Sequence, residues 1–139
     1  LVQFHVHTPS EHTIAGESYP MELHLVHKSA EGKLAVVGVL LGKGPAHPVV
    51  QAVWNNLPLE KNEEARATAS LDPAHLLPAD QRYYTYMGSL TTPPCTEGVQ
   101  FYILKKPMDM SKDQVGKFPY KLNARPVQSL NGRKINAGG

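Results

Sequence analysis

The stretch QFHVHTPSEH, Gln3 to His12, begins with apolar and nitrogen-bearing side chains in strict alternation. Taken from Leu1, residues Leu1, Gln3, His5 and His7 fall on one side of an extended chain and Val2, Phe4 and Val6 on the other. A period of two with one apolar side predicts a half-buried strand over residues 1–7. Side chains two apart on a strand project to one face at about 6.5 to 7 Å, so His5 and His7 can reach a single ion without bending the backbone. Taken alone, His-x-His is a weak signal, more often two ordinary surface or core histidines than a metal clamp.

The segment that follows, TPSEHTIAGESYP, is punctuated by Pro9, Gly16 and Pro20 and reads as a loop. MELHLVHK, from Met21, resumes the alternation, with Glu22, His24 and Val26 against Met21, Leu23 and Leu25. A second strand here can pair antiparallel with the first and return His24 beside His5 and His7. Three neutral imidazoles are the donor set of a catalytic zinc site, because they leave the ion's charge uncompensated and a fourth position open to water. Water so placed loses its proton near neutral pH.

Metal-bound histidines commonly pass their other N–H to a carbonyl or carboxylate. Gln3 and Glu22 meet that need, each two residues before a candidate ligand and therefore on its face; Glu22 otherwise reads as a solvated strand residue. Glu11, a loop carboxylate, is open to several readings: ligand, base, orienting group or bystander. His12, His27, His47 and His75 have no partner at ligand spacing and are expected in structural or surface roles. HVHTPSE also fits the first metal motif of a cupin β-barrel, a rival that fails downstream, where no Pro-x-Gly turn precedes His24 and Lys28 stands in place of the expected Asn.

Farther along, LAVVGVLLG (Leu34 to Gly42) is a near-continuous aliphatic run that fits a strand buried on both faces. It falls well short of the roughly 20 residues that span a bilayer, and no membrane span is expected. Val49, Val50, Val53, Trp54 and Leu57 recur at helical spacing and predict a short amphipathic helix over 48–57. DPAHLLP offers an Asp cap and a Pro at the first position of a one-turn helix, and Ser111 with Gln114 has capping-box spacing for a helix over 112–118. RYYTYMGSL and VQFYILKKP read as two more strands flanking the turn TTPPCTEG.

With 139 residues, 41% of them hydrophobic and 19% charged, the chain has the make-up of one ordinary globular domain, and no linker or repeat divides it. The net charge of +2 is scattered, which argues against nucleic acid or an anionic surface as partner. The single cysteine, Cys95, excludes an internal disulfide framework and a cysteine-rich zinc site, and by itself reads as a small buried hydrophobe.

QFHVHTPSEHT, ELHLVH, GSLTTPPCTEGV and the terminal ARPVQSLNGRKI, in that order, closely resemble the α-class carbonic anhydrases of bacteria, from Leu1 to Ile135. The resemblance implies a mainly β fold: a large, twisted, mostly antiparallel central sheet with a few short peripheral helices. It implies Zn2+ on His5, His7 and His24, with Gln3 and Glu22 behind His5 and His24. It implies reversible hydration of carbon dioxide to bicarbonate and a proton by attack of zinc-bound hydroxide, with sulfonamides or anions as inhibitors at the metal. Thr91 would accept from that hydroxide and donate to Glu11, so that Glu11 orients and ligates nothing. Thr92 and the apolar set Val26, Val36, Leu90, Val99 and Phe101 would line the substrate pocket, and the Pro93-Pro94 bond would be cis.

Departures from the pattern are Phe101 and Ala124, where many relatives have Trp. By the same resemblance the chain is expected to be the C-terminal portion, roughly the last three-fifths, of a single domain whose N-terminal part and usual proton-shuttling histidine are absent. Such a piece is expected to form a homo-oligomer or to associate with the missing segment, and to hydrate carbon dioxide slowly, more so without buffer base. Cys95 would pair with a cysteine of that N-terminal part in a periplasmic or extracellular protein. A contrasting class is a carbonic-anhydrase-like binding module, or an inactive fragment, without catalysis; such modules typically lose zinc histidines, and all three are present here.

Overall fold

The alternation at the start of the chain becomes β1 (Gln3–His7), and that of MELHLVHK becomes β2 (Met21–Lys28). They pair antiparallel with His5 opposite His24 and His7 opposite Glu22, so the expected juxtaposition of the three histidines is met by register alone. The structure, a computed structural model, describes residues 1–56, 72–119 and 122–139. The aliphatic run forms β3 (Leu34–Lys43), followed by β4 (Tyr83–Ser89), β5 (Glu97–Leu104), β6 (Met108–Met110) and β7 (Asn136–Gly138).

Among the described residues these make one seven-stranded sheet in the order β1-β2-β3-β5-β4-β7, with β6 beside the end of β3. Pairing is antiparallel except where β5 and β6 run parallel to β3. That exception explains the composition of β3, since a strand in mid-sheet with both faces covered can be aliphatic throughout. Among the described residues no helix is long and apolar enough to cross a membrane.

Each face of the sheet carries its own apolar cluster. Met21, Leu23, Leu25, Val39, Leu41 and Leu104 bury one face beneath Val50, Leu76 and Phe118 from the helical segments. On the other, Val26, Val36, Leu40, Val99, Phe101 and Ile103 form a second cluster, and this is the face on which the histidines stand. Gly38 lies opposite His24; a Cβ there would sit 2.6 Å from Ile103 Cδ1 and 3.3 Å from Glu22 Oε2, so any other residue would push the Ile103 side chain aside and crowd the Glu22 carboxylate.

The helices fall where their signals lie. α1 (Pro48–Asn55) has Pro48 in its first turn and is capped by the His47 ring, which accepts from the Val49 and Val50 amides; Leu57, in the expected range, lies outside the described residues. Asp72 caps a single 3-10 turn, Pro73–Leu76, and α2 (Lys112–Lys117) carries the Ser111/Gln114 capping box. The Pro93-Pro94 bond is cis, as the resemblance implies, and so is Thr8-Pro9.

Gln114, 1% exposed, welds the two helices together. Its Oε1 accepts from the His47 and Ser111 amides at 2.9 and 3.1 Å, while its Nε2 donates to His47 O at 3.0 Å and Gln51 Oε1 at 3.1 Å. Gln114→Ala removes four hydrogen bonds and takes from the buried His47 amide the acceptor it has here, while the His47 carbonyl keeps the Gln51 amide. The expected loss is about 3 kcal/mol, read from the urea denaturation midpoint. A loss under about 1 kcal/mol would show that water replaces the amide at no cost.

Candidate metal centre

The alternation of β1 and β2 sets His5, His7 and His24 on one face, and the antiparallel register closes them into a triangle. Their ring centroids lie 4.8, 5.4 and 4.8 Å apart, and one donor atom from each falls within 4.8 Å of the others. His7 and His24 are 4% and 2% exposed, while His5 is half-buried.

Each ring is held by one nitrogen. His5 Nδ1 donates to Gln3 Oε1 at 2.8 Å, His7 Nδ1 to the Asn123 carbonyl at 3.2 Å, and His24 Nε2 to Glu22 Oε2. Carbonyl and carboxylate oxygens only accept, so these nitrogens carry the protons. His5 Nε2, His7 Nε2 and His24 Nδ1 are thereby left as lone-pair donors. Among the described residues His7 Nε2 is buried with no hydrogen-bond partner, and so is Glu11 Oε1, 3.2 Å away. Two electron-rich atoms orphaned side by side are costly, and a cation among the imidazoles satisfies both.

Glu22 is fully buried, and its two oxygens take three donors: the His12 amide at 2.9 Å, His12 Nδ1 at 2.7 Å and His24 Nε2. Burial alone would raise its pKa, but the hydrogen bonds from His12 and His24 overcome that and hold the carboxyl well below the usual range. His12 Nε2 in turn accepts from the Tyr86 hydroxyl, whose pKa is pushed up to about 12 by burial and by the Glu22 charge. The protons of Tyr86 and His12 on one side and of His24 on the other therefore converge on the Glu22 carboxylate, which leaves His24 Nδ1 without a proton.

Burial, reinforced by the neighbouring His24 and His7, lowers the His5 pKa to about 4; burial likewise lowers that of His7. A folded-state histidine pKa below its unfolded value near 6.5 means that the unfolded chain binds more protons between the two, so stability rises with pH across that window. Glu22 adds a term of the same sign, present above its unfolded pKa near 4.5 and lost as pH falls below it. Chelator-stripped protein is expected to be more resistant to urea at pH 7 than at pH 4.5. Equal midpoints would mean that these rings are as solvated as in the unfolded chain.

The structure distributes the other expected site residues unevenly. Glu11 is buried; its Oε2 accepts from the Arg125 amide at 2.6 Å and its Oε1 lies 3.8 Å from His24 Nδ1. Thr91 lines a cavity of about 920 Å³ together with Glu11, His12, Tyr86 and Arg125, but no hydrogen bond joins Thr91 to Glu11 Oε1. Val26, Val36, Val99 and Phe101 belong to one buried cluster with Leu90 against it, whereas Thr92 is exposed. His12 and Asn123 are the site residues that the sequence did not reveal. His12 sits in a loop without periodicity, and Asn123 reaches His7 from 116 positions away.

A mixed β sheet bearing a three-histidine donor set on its face, each ring steered from behind, defines a mononuclear metal-site architecture. The Eukaryotic-type carbonic anhydrase family model matches residues 1–138, and the chain belongs to that family. It is 44% identical over 138 residues to a carbonic anhydrase of Klebsiella pneumoniae, covering 97% of this chain and 56% of that protein. Among solved structures, the α-carbonic anhydrase of Thermovibrio ammonificans in complex with the inhibitor sulfanilamide superposes with a TM-score of 0.92 at 46% identity, over 95% of this chain and 60% of the other. The Photobacterium profundum α-carbonic anhydrase gives 0.90 at 43%, over 95% and 62%. The chain thus spans somewhat more than half the length of these relatives.

Proposed function

We propose that the chain carries the zinc centre of a carbonic anhydrase and takes part in the reversible hydration of carbon dioxide to bicarbonate and a proton. The observation that carries this reading is the convergence of His5 Nε2, His7 Nε2 and His24 Nδ1, each freed by a hydrogen bond at the opposite nitrogen, beside a buried apolar cluster. Family membership and the activity named for the relatives support it.

Zinc, when bound, supplies a Lewis acid that lets water give up its proton near neutral pH. The residues of this chain do the rest. His5, His7 and His24 hold the ion as neutral ligands, and Gln3, the Asn123 carbonyl and Glu22 fix their orientation. Val26, Val36, Val99 and Phe101, with Leu90, give uncharged carbon dioxide a wall with which it exchanges no hydrogen bonds, and keep water from that side. Glu11 is anchored through Oε2 by the Arg125 amide, its Oε1 faces His7 Nε2 and His24 Nδ1, and it lines one cavity with Thr91, the pair that would orient the attacking oxygen.

On this reading a sulfonamide anion binds at the metal, as sulfanilamide is in complex with the Thermovibrio relative. A bacterial periplasmic or extracellular setting forms part of the proposal; it rests on the relatives' bacterial sources and on Cys95, partly exposed and unpaired among the described residues. The test is zinc content by mass spectrometry of the native protein, together with carbon dioxide hydration in the presence and absence of a sulfonamide. One zinc per chain with sulfonamide-sensitive hydration is expected. Zinc without hydration, at any buffer concentration, would favour a binding module.

A further inference from the structure

Building on the metal reading above, we propose that the Asn123 side chain is a positioning residue for the centre, fixing the carbonyl that orients His7 by tying both neighbours of His7 to the C-terminal segment. Asn123 Nδ2 donates to Val6 O at 3.1 Å, and Asn123 Oδ1 accepts from the Thr8 amide at 2.7 Å. The Asn123 amide itself donates to Thr8 O at 3.0 Å. Its carboxamide thus brackets His7 in the chain, while its own carbonyl takes the proton of His7 Nδ1 at 3.2 Å.

The chemistry of this bracket calls for asparagine. Val6 O needs a donor and the Thr8 amide needs an acceptor, and a carboxamide offers one of each at a fixed separation. Aspartate supplies only the acceptor and sets a carboxylate against Val6 O; alanine supplies neither. A carbonyl that drifts from His7 Nδ1 no longer selects the tautomer that leaves Nε2 open, and the outer partners of metal ligands typically carry about 10- to 100-fold of the affinity. Asn123 is exposed whereas His7 is buried, so its replacement removes hydrogen bonds without opening a cavity in either apolar cluster.

The test uses Asn123→Ala and Asn123→Asp beside the parent, with Gln114→Ala as a variant destabilised at the opposite face of the sheet. Long-range proton–nitrogen correlation spectra of the metal-free chain, labelled at histidine nitrogen, report the His7 tautomer, and competition with a chromophoric chelator reports zinc affinity. Expected are a single Nδ1–H tautomer for His7 in the parent, a mixture in Asn123→Ala, and zinc affinity lowered by about 10- to 100-fold in Asn123→Ala and less in Asn123→Asp. Gln114→Ala is expected to keep the parent affinity. An Asn123→Ala chain with a single His7 tautomer and zinc affinity within twofold of the parent overturns the proposal, as does an equal loss of affinity in Gln114→Ala. A parent that binds no zinc would overturn the metal reading, while the tautomer measurement, made without metal, still decides the role of Asn123.

Discussion

Replacing His24 by alanine is expected to abolish stoichiometric zinc binding and, with it, any carbon dioxide hydration. His24 stands at the middle of the site: opposite His5 across the β1–β2 ladder, above Gly38 of β3, and 2% exposed. Removing it takes away one of the three proposed protein ligands and one of the donors on the buried Glu22 carboxylate. If zinc affinity at such sites is shared roughly evenly among ligands, one imidazole carries several kcal/mol, and zinc should bind on the order of a thousandfold more weakly. Chelator competition measures this directly. Affinity within tenfold of the parent would mean that the ion sits elsewhere.

Glu22→Gln is the second large effect, and it tests electrostatics with almost no change of shape. The carboxylate accepts three hydrogen bonds at its two oxygens. A carboxamide has one accepting oxygen: kept at the two rings, it sets the NH2 against the His12 amide, and kept at that amide, it sets the NH2 against the protonated ring nitrogens of both His12 and His24. Relieving that clash on His24 moves its proton to Nδ1, the atom needed for the metal; relieving it on His12 breaks the bond with Tyr86. Zinc affinity is expected to fall by about 10- to 100-fold, and the urea midpoint to fall as well. A variant that loses stability but keeps zinc affinity would reduce Glu22 to a packing role.

Much of this arrangement is legible in the sequence, because it rests on local rules. Alternation in LVQFHVH and MELHLVHK defines two strands and their histidine face, and Pro48, Asp72 and the Ser111/Gln114 pair mark helix starts that the structure retains. Tertiary context supplies what is not legible. β6 and β7 are three residues each, too short for a period to show, and the parallel pairing of β3 with β5 depends on a crossover rather than on either strand's composition. His12 enters the centre because a loop turns back over Glu22, and Asn123 because the C-terminal segment returns to the end of β1. The expected bond from Thr91 to Glu11 is not formed: Glu11 Oε1 faces His7 Nε2 at 3.2 Å and has no hydrogen-bond partner among the described residues.

On the proposed reading the metal belongs to three imidazoles and to no carboxylate. This is tested most directly by a crystal structure of the zinc-loaded protein, with anomalous scattering measured on both sides of the zinc edge. Expected is one zinc bound by His5 Nε2, His7 Nε2 and His24 Nδ1, with a fourth position exchangeable for a sulfonamide nitrogen. A Glu11 oxygen or a His12 nitrogen in the coordination sphere would contradict it.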